Sequence, residues 1–137
     1  DAISKFATGW EIANCGSDMD PGLYGALGGK NNVLLTHPMD KETGCVISQK
    51  VKVFSGQCLK LTVGHAPNGD WDLIVKIDGK ETLKKLISKE TCKNGWVDVT
   101  VDLSDSAGKE VTIELINQPN GWSWEAGYWA EIKLVSE

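Results

Sequence analysis

From residue 44 onward the chain alternates apolar and polar residues almost without a break, and no other feature limits its fold so tightly. Cys45, Ile47, Val51 and Val53 alternate with Val46, Ser48, Lys50 and Lys52, which makes one face apolar and the other mostly wet. The pattern returns in Leu59, Leu61 and Val63, and again in Trp71, Leu73, Val75 and Ile77. Asp78-Gly79 follows, the strongest short-range hairpin signal, and sends the chain back through Glu81 to Ile87. Val97, Val99, Val101 and Leu103 form the next run, then Val111, Ile113 and Leu115, and last Tyr128, Ala130, Ile132 and Leu134 alternating with Trp129, Glu131 and Lys133. Seven or so short strands punctuated by turns predict an all-β fold, an antiparallel β-sandwich. The short stretches Pro21 to Ala26 and Ile87 to Cys92 are the only candidates for a helical turn, and neither is long enough to stand alone in water.

Residues 1–43 differ in kind. They hold Gly16, Gly22, Gly25, Gly28 and Gly29 and little periodicity beyond Trp10 and Ile12. The reading is a first strand near Thr8 to Ala13 and then a long loop over one end of the sandwich, within a single domain of residues 1–137. A loop of that length in a compact domain is usually functional or pinned.

Four cysteines, Cys15, Cys45, Cys58 and Cys92, are even in number, widely spaced and free of any C-x-x-C pair. Disulfides are the favoured reading, with buried free thiols as the competitor. Of three connectivities, Cys15 to Cys45 with Cys58 to Cys92 is preferred, because Cys45 opens a strand against which the glycine-rich N-terminal segment must dock. Bridges place the chain in a secreted or periplasmic setting. The N-terminus, Asp1-Ala2-Ile3-Ser4, reads as an excised or processed segment, and the domain as a monomeric module of a larger chain. No stretch approaches the roughly 20 apolar residues that span a bilayer. Fourteen basic residues, all lysine, stand against 19 acidic ones, and a net charge of −5 without arginine argues against nucleic acid.

One loop signature occurs twice: Pro67-Asn68-Gly69-Asp70-Trp71 and Pro119-Asn120-Gly121-Trp122-Ser123-Trp124. Each copy follows an alternating run, so each is a strand-to-loop exit in which Pro fixes φ and Asn-Gly opens positive φ. Trp122 and Trp124 are two apart and point the same way in an extended segment, which makes them the best rim pair to grip the apolar face of a sugar, with burial under the N-terminal loop as the competing reading. Trp10 and Trp71 lie on the apolar phase and read first as core, although Trp71 adjoins the turn. Trp96 and Trp129 lie on the opposite phase and read as cover for the second sheet or as rings beneath the N-terminal loop. Asn68, Asp70, Asn120 and Glu125 are the hydrogen-bonding candidates, joined by His65 at a strand end, with Asn117 at the end of another. The candidate ligand set is thus Trp122, Trp124, Trp71, His65, Asn68, Asp70, Asn120 and Glu125.

Catalysis is disfavoured. His37 and His65 are the only histidines and lie in no nucleophile motif. Asp70 or Asp72 with Glu125 supplies carboxylates by count alone, and Asp72 on the outer face of a strand reads as a solvated acid. Asp18 and Asp20, two apart before Pro21-Gly22 and near Asp40 and Glu42 in sequence, are candidates for calcium, with turn capping as the competing role.

The run Gly69 to Lys80, the segment Val99 to Ser104 with Ala107-Gly108-Lys109, and the closing Asn120 to Trp129 resemble a galactose-binding-like jelly roll. Residues 44–136 carry the likeness, and within that group the chain is similar to carbohydrate-binding modules appended to secreted bacterial proteins, including hydrolases of planctomycete type. The resemblance implies a jelly roll, a polysaccharide or glycan as partner and a structural calcium ion. It defines no set of ligand residues. A structural or protein-interaction module packing against a neighbouring domain is the alternative, since exposed aromatics also build protein interfaces.

Overall fold

The computed structural model describes residues 2–16, 22–120 and 125–136. Two five-stranded sheets face each other, and every strand pair is antiparallel. The expected sandwich is the observed one. A short helix, α1 (Ala2–Phe6), precedes β1 (Glu11–Ala13), β2 (Gly22–Leu27), β3 (Lys30–Thr36), β4 (Cys45–Lys52) and β5 (Gln57–His65). Then come β6 (Trp71–Ile77), β7 (Lys80–Ile87), β8 (Trp96–Asp102), β9 (Glu110–Gln118) and β10 (Gly127–Ser136). The first sheet has the order β1-β4-β9-β6-β7 and the second β2-β3-β10-β5-β8.

The alternation read from the sequence explains the core. Ile47, Leu61, Val63, Leu73, Val75, Ile113 and Leu115 are almost fully buried between the sheets, and α1 adds Ile3. Asp78 and Gly79 both hold positive φ, 50° and 81°, as a tight turn between β6 and β7 requires.

Three expectations need correction. The stretch read as a long loop contains β2 and β3, joined through Gly28 (φ 62°) and Gly29 (φ 87°), so it extends the second sheet. Its glycines hid the strands because only short apolar runs flank them. Of the two proposed helical turns, the one at Pro21 to Ala26 gives way to strand from residue 22, whereas the one at Ile87 to Cys92 is present just past β7, where the Thr91 and Cys92 amides donate to the Ser88 carbonyl at 3.1 and 2.9 Å. In β10 the register slips between Trp129 and Glu131, which leaves Ala130 as an extra residue. That bulge reverses the phase: Trp129 enters the main core with Ile132 and Leu134, while Tyr128 and Ala130 turn to the outer side.

Cys15 and Cys45 form a disulfide, with their Cα atoms 4.4 Å apart. Cys58 and Cys92 are not bridged to each other, contrary to the second expected pair. Cys58 sits at the start of β5 opposite Asp102, whereas Cys92 lies in the β7–β8 connection beside the far end of β5. Seven residues of extended strand separate the two ends by roughly 23 Å, far beyond the reach of a disulfide.

Candidate functional site

Strand register brings four connections to one end of the sandwich. Asp72 pairs with Gln118, so the β5–β6 and β9–β10 loops, the two copies of the Pro-Asn-Gly signature, leave neighbouring strands side by side. His65 pairs with Gly127, Trp71 with Ile87 and Cys45 with Asn117, which adds the β7–β8 and β3–β4 connections to the same end.

The two signature loops are tied together by their own polar groups. The Asn120 backbone N–H donates to Glu125 Oε1 at 2.7 Å. With its amide nitrogen turned toward the acids, the Asn120 side chain donates to Glu125 Oε1 at 3.0 Å and to Asp70 Oδ1 at 2.9 Å. Glu125 is buried and therefore holds the loop rather than facing solvent, while Asn68 and Asn120 are exposed and Asp70 is half-buried. Asp70 thus joins the rim, and Asp72 points along the outer face of β6.

Beneath the rim lies a buried polar cluster. The Thr36 hydroxyl accepts from Trp129 Nε1 at 2.9 Å and from Asn117 Nδ2 at 3.1 Å, and donates to the Gly127 carbonyl at 3.2 Å. Asn117 is fully buried and so belongs to this floor, at the end of the sandwich where the sequence reading had set it. Gly127 has no alternative, because a Cβ there would stand 2.7 Å from Asn117 Nδ2.

The tryptophans divide as follows. Trp71 is completely buried, donates from Nε1 to the Gly64 carbonyl at 2.9 Å and packs on Trp129 at 5.4 Å between ring centroids. Its ring is core and is withdrawn from the ligand set. Trp10 is core as well. Trp96 covers the outer side of the second sheet beside Tyr128, and its Nε1 donates to the Gly28 carbonyl at 2.8 Å. Trp122 and Trp124 lie outside the described residues, as do Asp18 and Asp20.

The calcium expectation therefore rests on Asp18 and Asp20 alone. Asp40 uses Oδ1 to accept from the Glu42 and Thr43 amides at 2.9 and 2.7 Å, a turn cap, and these bonds hold its carboxyl below the usual value. Among the described residues no group of three His, Cys, Asp or Glu side chains is placed to hold a metal.

Two clefts open at this end. The first, about 450 Å³, runs along Asn68, Gly69 and Asp70 and the facing Ser88 to Glu90, and is mainly polar. The second, about 490 Å³, is walled by Leu27, Gly28, His65, Trp96 and Tyr128 and is mainly apolar. Pro67 and Lys89 border both. Burial pushes the Tyr128 hydroxyl and the Cys92 thiol above their ordinary values. The sequence reading missed Ser88 to Glu90 and the Trp96–Tyr128 wall; only the unusual phase of Trp96 pointed toward the latter.

No family model matches the sequence, and no curated protein does. Solved structures do match its fold. The structure of CBM35 from Paenibacillus barcinonensis aligns over 95% of this chain and 94% of its own, with a TM-score of 0.56 and 12% identity. The CBM22-1 xylan-binding domain from the same organism aligns over 95% and 86%, with a TM-score of 0.60 and 13% identity. The K1 cleaved adhesin domain of Lys-gingipain from Porphyromonas gingivalis W83 aligns over 94% and 91%, with a TM-score of 0.64 and 13% identity. At such identities the likeness establishes the fold alone, a jelly-roll β-sandwich.

Proposed function

We propose that this chain is a carbohydrate-binding module without catalytic activity of its own, a monomeric unit of a secreted multidomain protein. The observation that carries the reading is the junction of the two Pro-Asn-Gly loops at one rim, fixed by Asn120 to Asp70 and Glu125. A rim of this kind combines exposed amides and a carboxylate with cleft walls, the usual division between apolar contact area and a few placed polar groups. Asn68, Asp70 and Asn120 supply hydrogen bonds to a polysaccharide or glycan, Glu125 positions Asn120, and Trp122 and Trp124 supply the stacking platform. Fold alone does not dictate ligand, so the rim chemistry bears the argument. The Cys15–Cys45 bridge supports an oxidising compartment. Net charge −5 disfavours nucleic acid. Among the described residues no helix is long and apolar enough to cross a membrane.

The likeness to an adhesin domain favours a second reading, a protein-interaction module. Affinity gel electrophoresis in soluble polysaccharides, with a glycan array, separates the two. The module reading expects retardation by at least one glycan, weakened by Trp122→Ala, Trp124→Ala and Asn120→Ala in folded protein. Stacked rings are worth about 1 to 3 kcal/mol where measured on nucleobases, so the tryptophan variants should bind roughly tenfold to hundredfold more weakly. Absence of any glycan binding, or binding untouched by all three variants, overturns it.

A further inference from the structure

The apolar cleft does not arise from the rim loops. It forms because the β2–β3 hairpin brings its tip against the start of β8: the Gly28 carbonyl accepts from Trp96 Nε1, Lys30 Nζ stands 5.6 Å from the Trp96 ring centroid, and Leu27 joins Trp96, Tyr128 and Val33 in a second hydrophobic cluster. A Cβ at Gly28 would stand 3.1 Å from the Trp96 ring, so the hairpin tip fits this aromatic closely. The result is a groove with aromatic walls and a single buried imidazole.

That imidazole has a spare nitrogen. His65 is 7% exposed, and its Nδ1 lies 2.7 Å from the Ala66 carbonyl, which can only accept. In the neutral ring the proton therefore sits on Nδ1, and Nε2 is left as an acceptor with no partner among the described residues. A buried acceptor beside apolar walls suits a neutral occupant that brings both a hydroxyl donor and an apolar face, as a pyranose does. The volume, about 490 Å³, is in the range of small-ligand sites. Pro67 and Lys89 line both this groove and the polar cleft of the rim, so the two adjoin and one linear ligand can reach across both.

We propose that the groove is a second sugar subsite continuous with the rim, and that the chain recognises an oligosaccharide of at least two linked units rather than a lone terminal sugar. This rests on the rim reading and adds the length of the ligand. Cys92 gives the groove its own reporter, because its thiol lines it, while Cys58, the other cysteine outside the Cys15–Cys45 bridge, lies at the opposite end of the sandwich.

The test uses gluco-, xylo-, manno- and galacto-configured series from monosaccharide to tetrasaccharide. Binding is measured for the whole chain and for Leu27→Trp, which fills the groove, and His65→Phe, which keeps ring volume but removes the acceptor. Iodoacetamide alkylation of Cys92 and Cys58 is followed in the same samples. In the series that binds, affinity should rise about tenfold between monosaccharide and the longer chains, and Leu27→Trp should erase that gain. Loss of one neutral hydrogen bond predicts about three- to tenfold weaker binding of the longer chains by His65→Phe. Bound oligosaccharide should slow alkylation of Cys92 several-fold and leave Cys58 unchanged. Equal affinity at all lengths, or Cys92 alkylated at the free rate under saturating oligosaccharide, overturns the subsite even if Asn120→Ala still abolishes binding. Conversely, a chain-length gain and Cys92 protection that survive Asn120→Ala and Asp70→Ala would overturn the rim reading and leave the groove as the site.

Discussion

Trp71 and Trp122 follow the same Pro-Asn-Gly grammar and yet only one can be assigned to the core by phase. Trp71 lies in step with Leu73 and Val75, and burial of its ring against Trp129 follows from that step. Trp71→Ala should therefore cost about 3 to 5 kcal/mol of stability, read as a drop in the urea midpoint, whereas Asn120→Ala at the exposed rim should change stability far less. The cysteines give a second residue-scale test. One bridge and two thiols mean that unreduced, denatured protein should take up alkylating agent at two of its four cysteines by mass analysis. In the native protein Cys92 should react before the buried Cys58, and more slowly than an exposed thiol, because burial raises its pKa and lowers its thiolate fraction. Four alkylated cysteines would remove the disulfide, and none would restore the second pair.

Glycines that hold strands together at the rim can be tested element by element. Gly127 opens β10 against Asn117 and Thr36, and Gly127→Ala should destabilise by about 1 to 3 kcal/mol through overpacking. At Gly25 in β2 a Cβ would meet nothing within 4 Å, so Gly25→Ala is the matched control. Strands whose inward residues alternate cleanly, β4 to β9, were legible in the sequence because a period of two is the physical signature of a half-buried strand. Three things were not. The β2–β3 hairpin was masked by its glycines, although Gly28-Gly29 is itself a turn signal. The phase of β10 depended on a bulge at Ala130, which no local pattern announces. The aromatic groove joins Gly28 to Trp96 across 68 residues, a contact visible only once both strands are placed. The rim was legible because its signature occurs twice. Loop ends also carry the pH dependence: Asp40 is held below its ordinary value by the Glu42 and Thr43 amides, and Asp102 by Ser104. A carboxylate lowered on folding stabilises above its unfolded pKa and loses that contribution as pH falls through the folded value. Stability should thus decline below about pH 4, and Asp40→Asn with Asp102→Asn should flatten that part of the urea-midpoint profile.

At the scale of the whole molecule, both sheets and α1 share one core, and a single covalent tie reaches from the N-terminal segment to the start of β4. The three residues of β1 are all exposed and pair only with β4, so this edge gains little from burial of its own side chains. Ile3, Ala7 and Trp10 do enter the common core, and they carry the segment's packing. The Cys15–Cys45 bridge spans 30 residues of sequence and encloses β2 and β3, the hairpin that builds the groove. In the chain-entropy model a loop of this size stabilises by about 3 to 4 kcal/mol. For a domain of this length each kcal/mol moves Tm by a few degrees, so reduction should lower Tm by roughly 10 °C or more. The measurement is best made on Cys58→Ser with Cys92→Ser, which prevents exchange with the remaining cysteines. Because the core is shared, tryptophan fluorescence and far-UV circular dichroism should report one coincident transition before and after reduction. An unchanged Tm would show that packing alone holds the N-terminal segment. Separate transitions in the reduced protein would show that β2 and β3 depend on the bridge for their place in the second sheet.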